Sequence, residues 1–386
     1  MITIAQYEKP QSFFVEVHIA DIHFGAIDPI ITYEILQRQF LQPISEMKVI
    51  DIISVNGDLF DHKFMVSSDA VLYASYFIQQ LVDICKSKNA TLLLISGTGS
   101  HDSDQMKLFY PYMRLEGVDV RIIMNMSFEY IKGKRVLCIP ELYNRGAEYY
   151  EQYLFYSGLY DACYMHGCFK GAIRGKDKRE LDSKREPVFA EEDFGRCLGP
   201  VISGHSHVHA EYGRGIFFYC GSPIRYKFGE EQDKGYLILF HDIKNKWFQI
   251  HFEPINSFKY TTINIDDIIR SDPNTIIRYI EQVKNSGIDF LRVRFSIDDS
   301  NKIALLRNYF RNKRDIVLVN DYNKNNIETQ DPFEQMEEQQ KQLITSIMDP
   351  NLTPEEKLII YMNKRENSTY WNLNSLQKFF EEVNNI

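Results

Sequence analysis

The chain has 386 residues, enough for roughly two or three domains and a sizeable buried core, which excludes a disulfide-stapled mini-protein. With 44% hydrophobic, 13% aromatic and 25% charged residues, 20 Gly and 13 Pro, the composition is globular and excludes a disordered, collagen-like or low-complexity chain. The 44 Lys and Arg against 53 Asp and Glu give a formal charge of −9, so bulk attraction to phosphate backbones or anionic membranes is excluded; any nucleic-acid contact must be local or run through metal ions.

Met1 to Pro10 carries Glu8 and polar residues where a secretory signal would need a basic start and an apolar run. The longest apolar stretches, such as Thr91 to Ile95 and Ile216 to Cys220, fall far short of the roughly 18 residues that cross a bilayer, so a cytoplasmic protein with no membrane partner is expected. Cys85, Cys138, Cys163, Cys168, Cys197 and Cys220 form no Cys-x-x-Cys pair and mostly fall in strand-like runs, the usage of reduced, buried thiols.

Short β-rich runs end repeatedly at polar clusters. Phe13 to Ala20 runs into Asp21-Ile-His23, Val49 to Val55 into Asn56-Gly-Asp58, and Thr91 to Ser96 into Gly97 to Asp102. Between them, Ile31 to Leu41 and Asp69 to Lys86 carry apolar residues at helical spacing. Further strands are predicted at Val120 to Met124, Phe128 to Ile131, Arg135 to Ile139, Ala162 to Met165, Val201 to Ser203, Ile216 to Cys220 and Tyr236 to Phe240. Strands alternating with helices, and then strands with fewer helices, predict an α/β fold of two facing mixed β-sheets flanked by helices over residues 1–256.

After Pro254 the pattern changes. A strand at Lys259 to Ile265, a helix at Pro273 to Asn285, a strand at Phe290 to Ile297, a helix at Lys302 to Arg311 and a strand at Asp315 to Asn320 predict a small α/β domain over 257–320. The polar, Asn-rich stretch 321–330 reads as a linker, and 331–386 as an acidic helical region in which Thr353 caps a helix begun by Pro354. Tyr149, Tyr150, Tyr153, Phe155, Tyr156 and Tyr160 recur at helical intervals, a pattern that fits core packing or a helix pair in a dimer better than base stacking.

The chemistry-bearing residues fall just after predicted strands, where α/β folds place active sites. In order, these are Asp21-x-His23, Gly57-Asp58-x-x-Asp61, Gly97 followed by His101-Asp102, His166-Gly167, and Gly204-His205-x-His207. Imidazole nitrogens mixed with carboxylates suit Mn²⁺, Fe²⁺ or Zn²⁺, whereas oxygen-only sets suit Mg²⁺ or Ca²⁺. This succession resembles the calcineurin-like metallophosphoesterases. The resemblance implies a sandwich of two sheets and two divalent ions, in which Asp21, His23 and His207 hold the first ion with Asp58 as bridge, and His166 and His205 hold the second. Such a pair activates water for in-line attack on phosphorus. It also implies that His101 stands beside the scissile phosphate, with Asp102 fixing its tautomer.

One loop departs from that pattern. The family places an Asn directly before the catalytic His as a ligand of the second ion; here Ser100 stands there, in Gly97-Thr-Gly-Ser100-His101-Asp102, a loop two residues longer. A hydroxyl is a poorer ligand than an amide oxygen, so a weaker second site is expected.

Downstream, Tyr219-Cys-Gly-Ser-Pro223-Ile-Arg-Tyr-Lys-Phe-Gly229-Glu-Glu and Lys234-Gly-Tyr236 resemble the segment after the last metal motif in SbcD-type nucleases; a plain turn between two strands is the alternative. The resemblance implies a Mn²⁺-dependent nuclease acting on duplex ends and single strands in recombination or repair. It further implies that 257–320 caps DNA, that 331–386 binds an SbcC-like coiled-coil ATPase of the SMC type, and that the chain forms a homodimer. Lys170, Arg174, Lys176, Lys178 and Arg179 are candidate phosphate contacts, although acids interspersed among them also describe a solvated loop. Two rival functions remain: a metallophosphoesterase of nucleotides or small phosphodiesters, and a catalytically degenerate DNA-binding scaffold subunit.

Overall fold

The apolar runs become strands, and the polar clusters after them become the loops at one edge of two sheets. The structure, a computed structural model, describes residues 10–172, 178–182, 184–213, 215–313 and 315–322. Its first strands are β1 (Phe13–Ile19), β2 (Ile52–Asn56), β3 (Thr91–Ile95), β4 (Asp119–Ile123), β5 (Ser127–Ile131), β6 (Lys134–Ile139) and β7 (Ala162–His166). There follow β8 (Cys168–Phe169), β9 (Val188–Phe189), β10 (Val201–Gly204), β11 (Ala210–Tyr212), β12 (Phe217–Tyr219), β13 (Lys234–Asp242) and β14 (Trp247–Ile255). One six-stranded sheet runs β14-β13-β1-β2-β3-β4, the other β11-β12-β10-β7-β6-β5. In the first, β1 to β4 are parallel and β13 and β14 antiparallel. In the second, β6, β7, β10 and β12 are parallel and the edge strands β5 and β11 antiparallel. Two mixed sheets flanked by helices are therefore the architecture, as the order of the predicted elements implied.

The two sheets face each other across a shared core. Phe14, Ile52, Leu93 and Leu239 of the first meet Val136, Tyr164, Ile202 and Phe218 of the second. β2 and β3 are buried along their whole length, which explains why they read as unbroken apolar runs rather than as alternation.

The outer face of the first sheet is covered by a helical stretch, α1 (Pro29–Leu36), a π turn at Gln37–Leu41 and α2 (Gln42–Glu46), and by α3 (Asp69–Lys88). Asp28 caps α1 by accepting from the Ile30 amide, and Pro29 supplies a first-turn φ. Ser68 caps α3, whose Ala70, Ala74, Phe77, Leu81 and Cys85 form one buried stripe, until Asn89 ends it in the left-handed conformation at φ 51°. Burying Phe77 and Leu81 contributes about 1.5–3 kcal/mol each.

Over the second sheet lies α4 (Ala147–Leu154), whose Tyr150 and Leu154 are buried with Tyr160, while Tyr156 is exposed. Five of the six cysteines are buried and Cys197 half-buried, and all six are free thiols; burial pushes the Cys85 and Cys197 thiols up to about 12.

The chain divides into two units, one of residues 1–264, 271–293 and 305–318, the other of 265–270, 294–304 and 319–386. β15 (Tyr260–Asn264), β16 (Phe290–Phe295) and β17 (Ile316–Asn320) form a three-stranded sheet. α5 (Pro273–Lys284) begins at Asp272, which accepts from the amides of Asn274 and Thr275, and α6 (Ser300–Phe310) precedes β17. No helix among the described residues is long and apolar enough to cross a membrane. The linker beyond Tyr322 and the whole of 331–386, assigned to partner binding on the sequence, lie outside the described residues.

Candidate metal centre

Parallel pairing brings strand ends from both sheets to one place. The register Ile19 against Val55 sets Asp21 beside Gly57, whose carbonyl accepts from the Asp21 amide at 3.0 Å. The register Gly204 against His166 carries His205 to the same edge. Asp21, His23, Asp58 and His205 all adopt positive φ, at 53°, 48°, 50° and 84°. For residues other than glycine, each such conformation costs roughly 1–2 kcal/mol, and strain of this kind concentrates at functional sites. Gly204 is required for another reason: a Cβ there would meet the Asn56 carbonyl oxygen and, at 2.6 Å, His166 Nδ1.

On one side, Asp21, His23 and His207 bring their ligand atoms within 4.8 Å of one another. His23 Nε2 stands 3.0 Å from His207 Nε2 and 3.8 Å from Asp58 Oδ2. The Asp21 carboxylate accepts from the His205 amide at 2.9 and 3.1 Å. On the other side, Glu141, His166 and His205 form a second group. Glu141 Oε2 lies 2.9 Å from His205 Nδ1 and 3.5 Å from His166 Nε2. Asp58 stands between the groups, its Oδ2 also 3.3 Å from His166 Nε2.

The orientation of the imidazoles decides what fits there. His166 Nδ1–H donates to the Asn56 carbonyl at 2.8 Å and His207 Nδ1–H to Glu230 Oε1 at 3.0 Å, which turns each Nε2 toward a second imidazole nitrogen or a carboxylate oxygen. Carboxylates and inward-facing imidazole nitrogens at such distances need positive charge between them, supplied by ring protons or, in their place, by a metal, and mixed nitrogen and oxygen donors suit a divalent transition metal.

The protonation equilibria describe the same field. Burial lifts Asp21 to about 6 and lowers His23 to about 3. Burial opposes a charged His166, yet Asp58 raises it to about 10; likewise His205 reaches about 11 against burial, through its bonds to Cys168 and Glu141. Asp58, though buried, is held well below the carboxylate range, chiefly by His166.

Of the residues singled out in the sequence, Asp21, His23, Asp58, His101, His166, His205 and His207 are brought together. His101 joins through a group with His23 and Asp58, its Nδ1 against the Asp61 carbonyl. Asp102 does not orient His101. Its buried carboxylate accepts from the amides of Leu59 (2.8 Å), Phe60 (3.1 Å) and Gly97 (2.8 Å), tying the Asp58 loop to the Gly97 loop, and burial followed by the nearby Asp58 charge raises it to about 7.

Ser100 is exposed, and Thr98 occupies the place beside Asp58 instead, donating its amide to Asp58 Oδ1 at 2.6 Å. Lys170, Lys178 and Arg179 are exposed, but Arg179 is bonded to Asp193 at 2.8 Å; Arg174 and Lys176 lie outside the described residues. Glu141 and Thr98 were missed in the sequence. The available signal was position: each lies within three residues of a strand's end, as Asp21, Asp58, His166, His205 and His207 do.

Comparison with known proteins adds a likeness among solved structures. No family model and no curated protein matches the chain. Among solved structures, wild-type Vps29 from Entamoeba histolytica complexed with zinc is similar over 63% of this chain and 100% of its own, at 12% identity and a TM-score of 0.26. The functional reading rests on the strand order and the side-chain geometry of this chain itself.

Proposed function

We propose that the chain is a divalent-metal-dependent phosphodiesterase of DNA: a cytoplasmic, Mn²⁺-dependent nuclease subunit, dimeric, working with an SMC-like ATPase through 331–386. The observation that supports this best is Asp58 lying between two histidine–carboxylate groups. Asp21, His23 and His207 would hold one ion with Asp58, and His166 and His205 the other. When bound, divalent cations there supply Lewis-acid charge to phosphate oxygens and lower the pKa of water.

The chain's own residues do the rest. Asn56 and Glu230 fix the tautomers of His166 and His207, and Asp102 holds the two loops that carry Asp58 and Thr98. His101, with Nδ1 engaged by the Asp61 carbonyl, keeps Nε2 for a proton destined for the leaving oxygen. A substrate smaller than DNA is the second reading, favoured by the net charge of −9 and by Arg179 being tied to Asp193.

The test is release of labelled nucleotides from linear duplex DNA in Mn²⁺, beside hydrolysis of a small aryl phosphodiester. Cleavage of both, falling by about 10²–10⁴-fold in His101→Ala, is expected. Hydrolysis of the small ester alone moves the assignment to the second reading, and silence on both overturns the catalytic one.

A further inference from the structure

Resting on the two-ion reading of the centre, we propose that Glu141 is a direct ligand of the second ion, standing in for the amide that the loop before His101 lacks. Gly97 follows the strand β3 closely, and Thr98 rather than Ser100 comes to the centre. Its hydroxyl lies 3.2 Å from Asp58 Oδ2, 3.3 Å from Glu141 Oε2 and 3.5 Å from His166 Nε2. The two additional residues of the loop turn away from it, with the His101 amide bonded back to the Thr98 carbonyl at 2.9 Å.

A neutral hydroxyl among two carboxylates and an imidazole is best used as a donor to the carboxylates. The missing metal-binding oxygen comes from Glu141, placed directly after β6 and Pro140. Glu141 is 4% exposed, its amide donates to the Ser96 carbonyl at 3.3 Å, and Tyr143 donates its hydroxyl to Oε1 at 2.5 Å, which leaves Oε2 toward His166 and His205. No Lys or Arg pairs with this carboxylate among the described residues. The positive charge that this buried carboxylate needs comes from the protonated rings of His166 and His205, and a cation shared with the two imidazoles takes its place when they give up those protons to bind it.

With Glu141 included, the centre becomes nearly symmetric. Asp21, His23 and His207 stand on one side, Glu141, His166 and His205 on the other, and Asp58 is common to both. The second half then carries a full negative charge where an amide would carry none. It holds its ion as firmly as the first half, the reverse of what Ser100 suggests in the sequence.

The experiment titrates the metal-free full chain with Mn²⁺, counting bound ions by mass spectrometry after gel filtration and following the Mn²⁺ pair by electron paramagnetic resonance. Wild type should bind two ions per chain with an exchange-coupled signal. Glu141→Ala should bind one ion, with the uncoupled six-line signal. Glu141→Gln, which restores an amide oxygen, should bind the second ion at least ~10-fold more weakly than wild type, the lower end of what loss of a mere supporting partner costs.

Thr98→Val should keep both ions, and the retained first ion in the Glu141 variants reports that they are folded. Two ions at wild-type affinity in Glu141→Ala would overturn the proposal while leaving the two-ion reading intact. Fewer than two in the wild type would overturn that reading, and this proposal with it.

Discussion

Between the two sheets, Glu16 of β1, Lys134 of β6 and Tyr164 of β7 form a fully buried polar cluster, with the candidate metal centre a few residues further along the same strands. There, Lys134 Nζ donates to Glu16 and, at 2.7 Å, to the Tyr164 hydroxyl, which in turn donates to Glu16. One positive and one negative charge cancel, and the Lys134 side chain is fully buried. At the centre, three carboxylates and several imidazoles converge, and among the described residues the carboxylates pair with histidines rather than with Lys or Arg. Buried polarity alone therefore does not mark a ligand site. Polarity matched only by imidazoles does, because their protons can be exchanged for a cation from solution.

The largest expected effect tests the self-paired cluster. Lys134→Met leaves Glu16 buried and unpaired, and should lower the unfolding free energy by about 3–5 kcal/mol in urea titrations while Mn²⁺ binding stays unchanged. Adding Glu16→Leu should restore most of that loss. A Lys134→Met chain as stable as wild type would show that the cluster holds water or is not closed, and the contrast with the centre would fail at that end.

The next effect belongs to the centre. A cation bound only by the folded chain stabilises it by RT ln(1 + [L]/Kd), about 2.7 kcal/mol at a hundredfold excess over Kd. Mn²⁺ should therefore stabilise wild type and Lys134→Met alike. In Asp58→Asn the gain should vanish, and the metal-free stability should itself fall, since the carboxylate that His166 holds in its charged form is removed. Retention of the gain in Asp58→Asn would place the ion elsewhere.

What could be read in the sequence reflects the same contrast. β1, β2 and β3 are apolar runs long enough to name, and each ends in the residues that matter, so the fold and seven of the converging side chains were legible together. β14 was not, because Trp247–Ile255 is a partly exposed edge strand with Pro254 in it. The 3₁₀ stretch Ser103–Arg114 was also missed; Pro111 interrupts its helical pattern.

Glu141 comes directly after a proline and has no histidine near it in sequence, so only the return of β7 and β10 to the same edge gives it neighbours. Asp102 misleads through adjacency: standing next to His101 suggests a dyad, yet the turn sends its carboxylate to backbone amides at the start of its own loop and on the Asp58 loop.

The smallest effect is one of pH, and it separates the two clusters without touching the ligands. His241 on β13 is 1% exposed and, by burial first and then by the nearby Lys134 charge, is lowered from 6.5 to about 3, against weaker opposing pulls from Glu16 and Asp242. Between those values the unfolded chain binds a proton at this position and the folded chain does not. Stability therefore falls as pH falls through that window, at most by about 1.4 kcal/mol per pH unit. From pH 6.5 to 5.5 the loss due to His241 integrates to about 1 kcal/mol.

Within the centre, His166 and His205 are raised and titrate in the opposite sense, while His23 is lowered as His241 is, so only a difference that removes His241 isolates its share. The measurement is thus a difference between wild type and His241→Gln, each unfolded in urea with chelator at both pH values. Wild type should lose about 1 kcal/mol more than the variant over that interval. Equal losses would mean that the ring is protonated in the folded chain, and that the self-paired cluster extends to a charge that burial beside Lys134 should exclude.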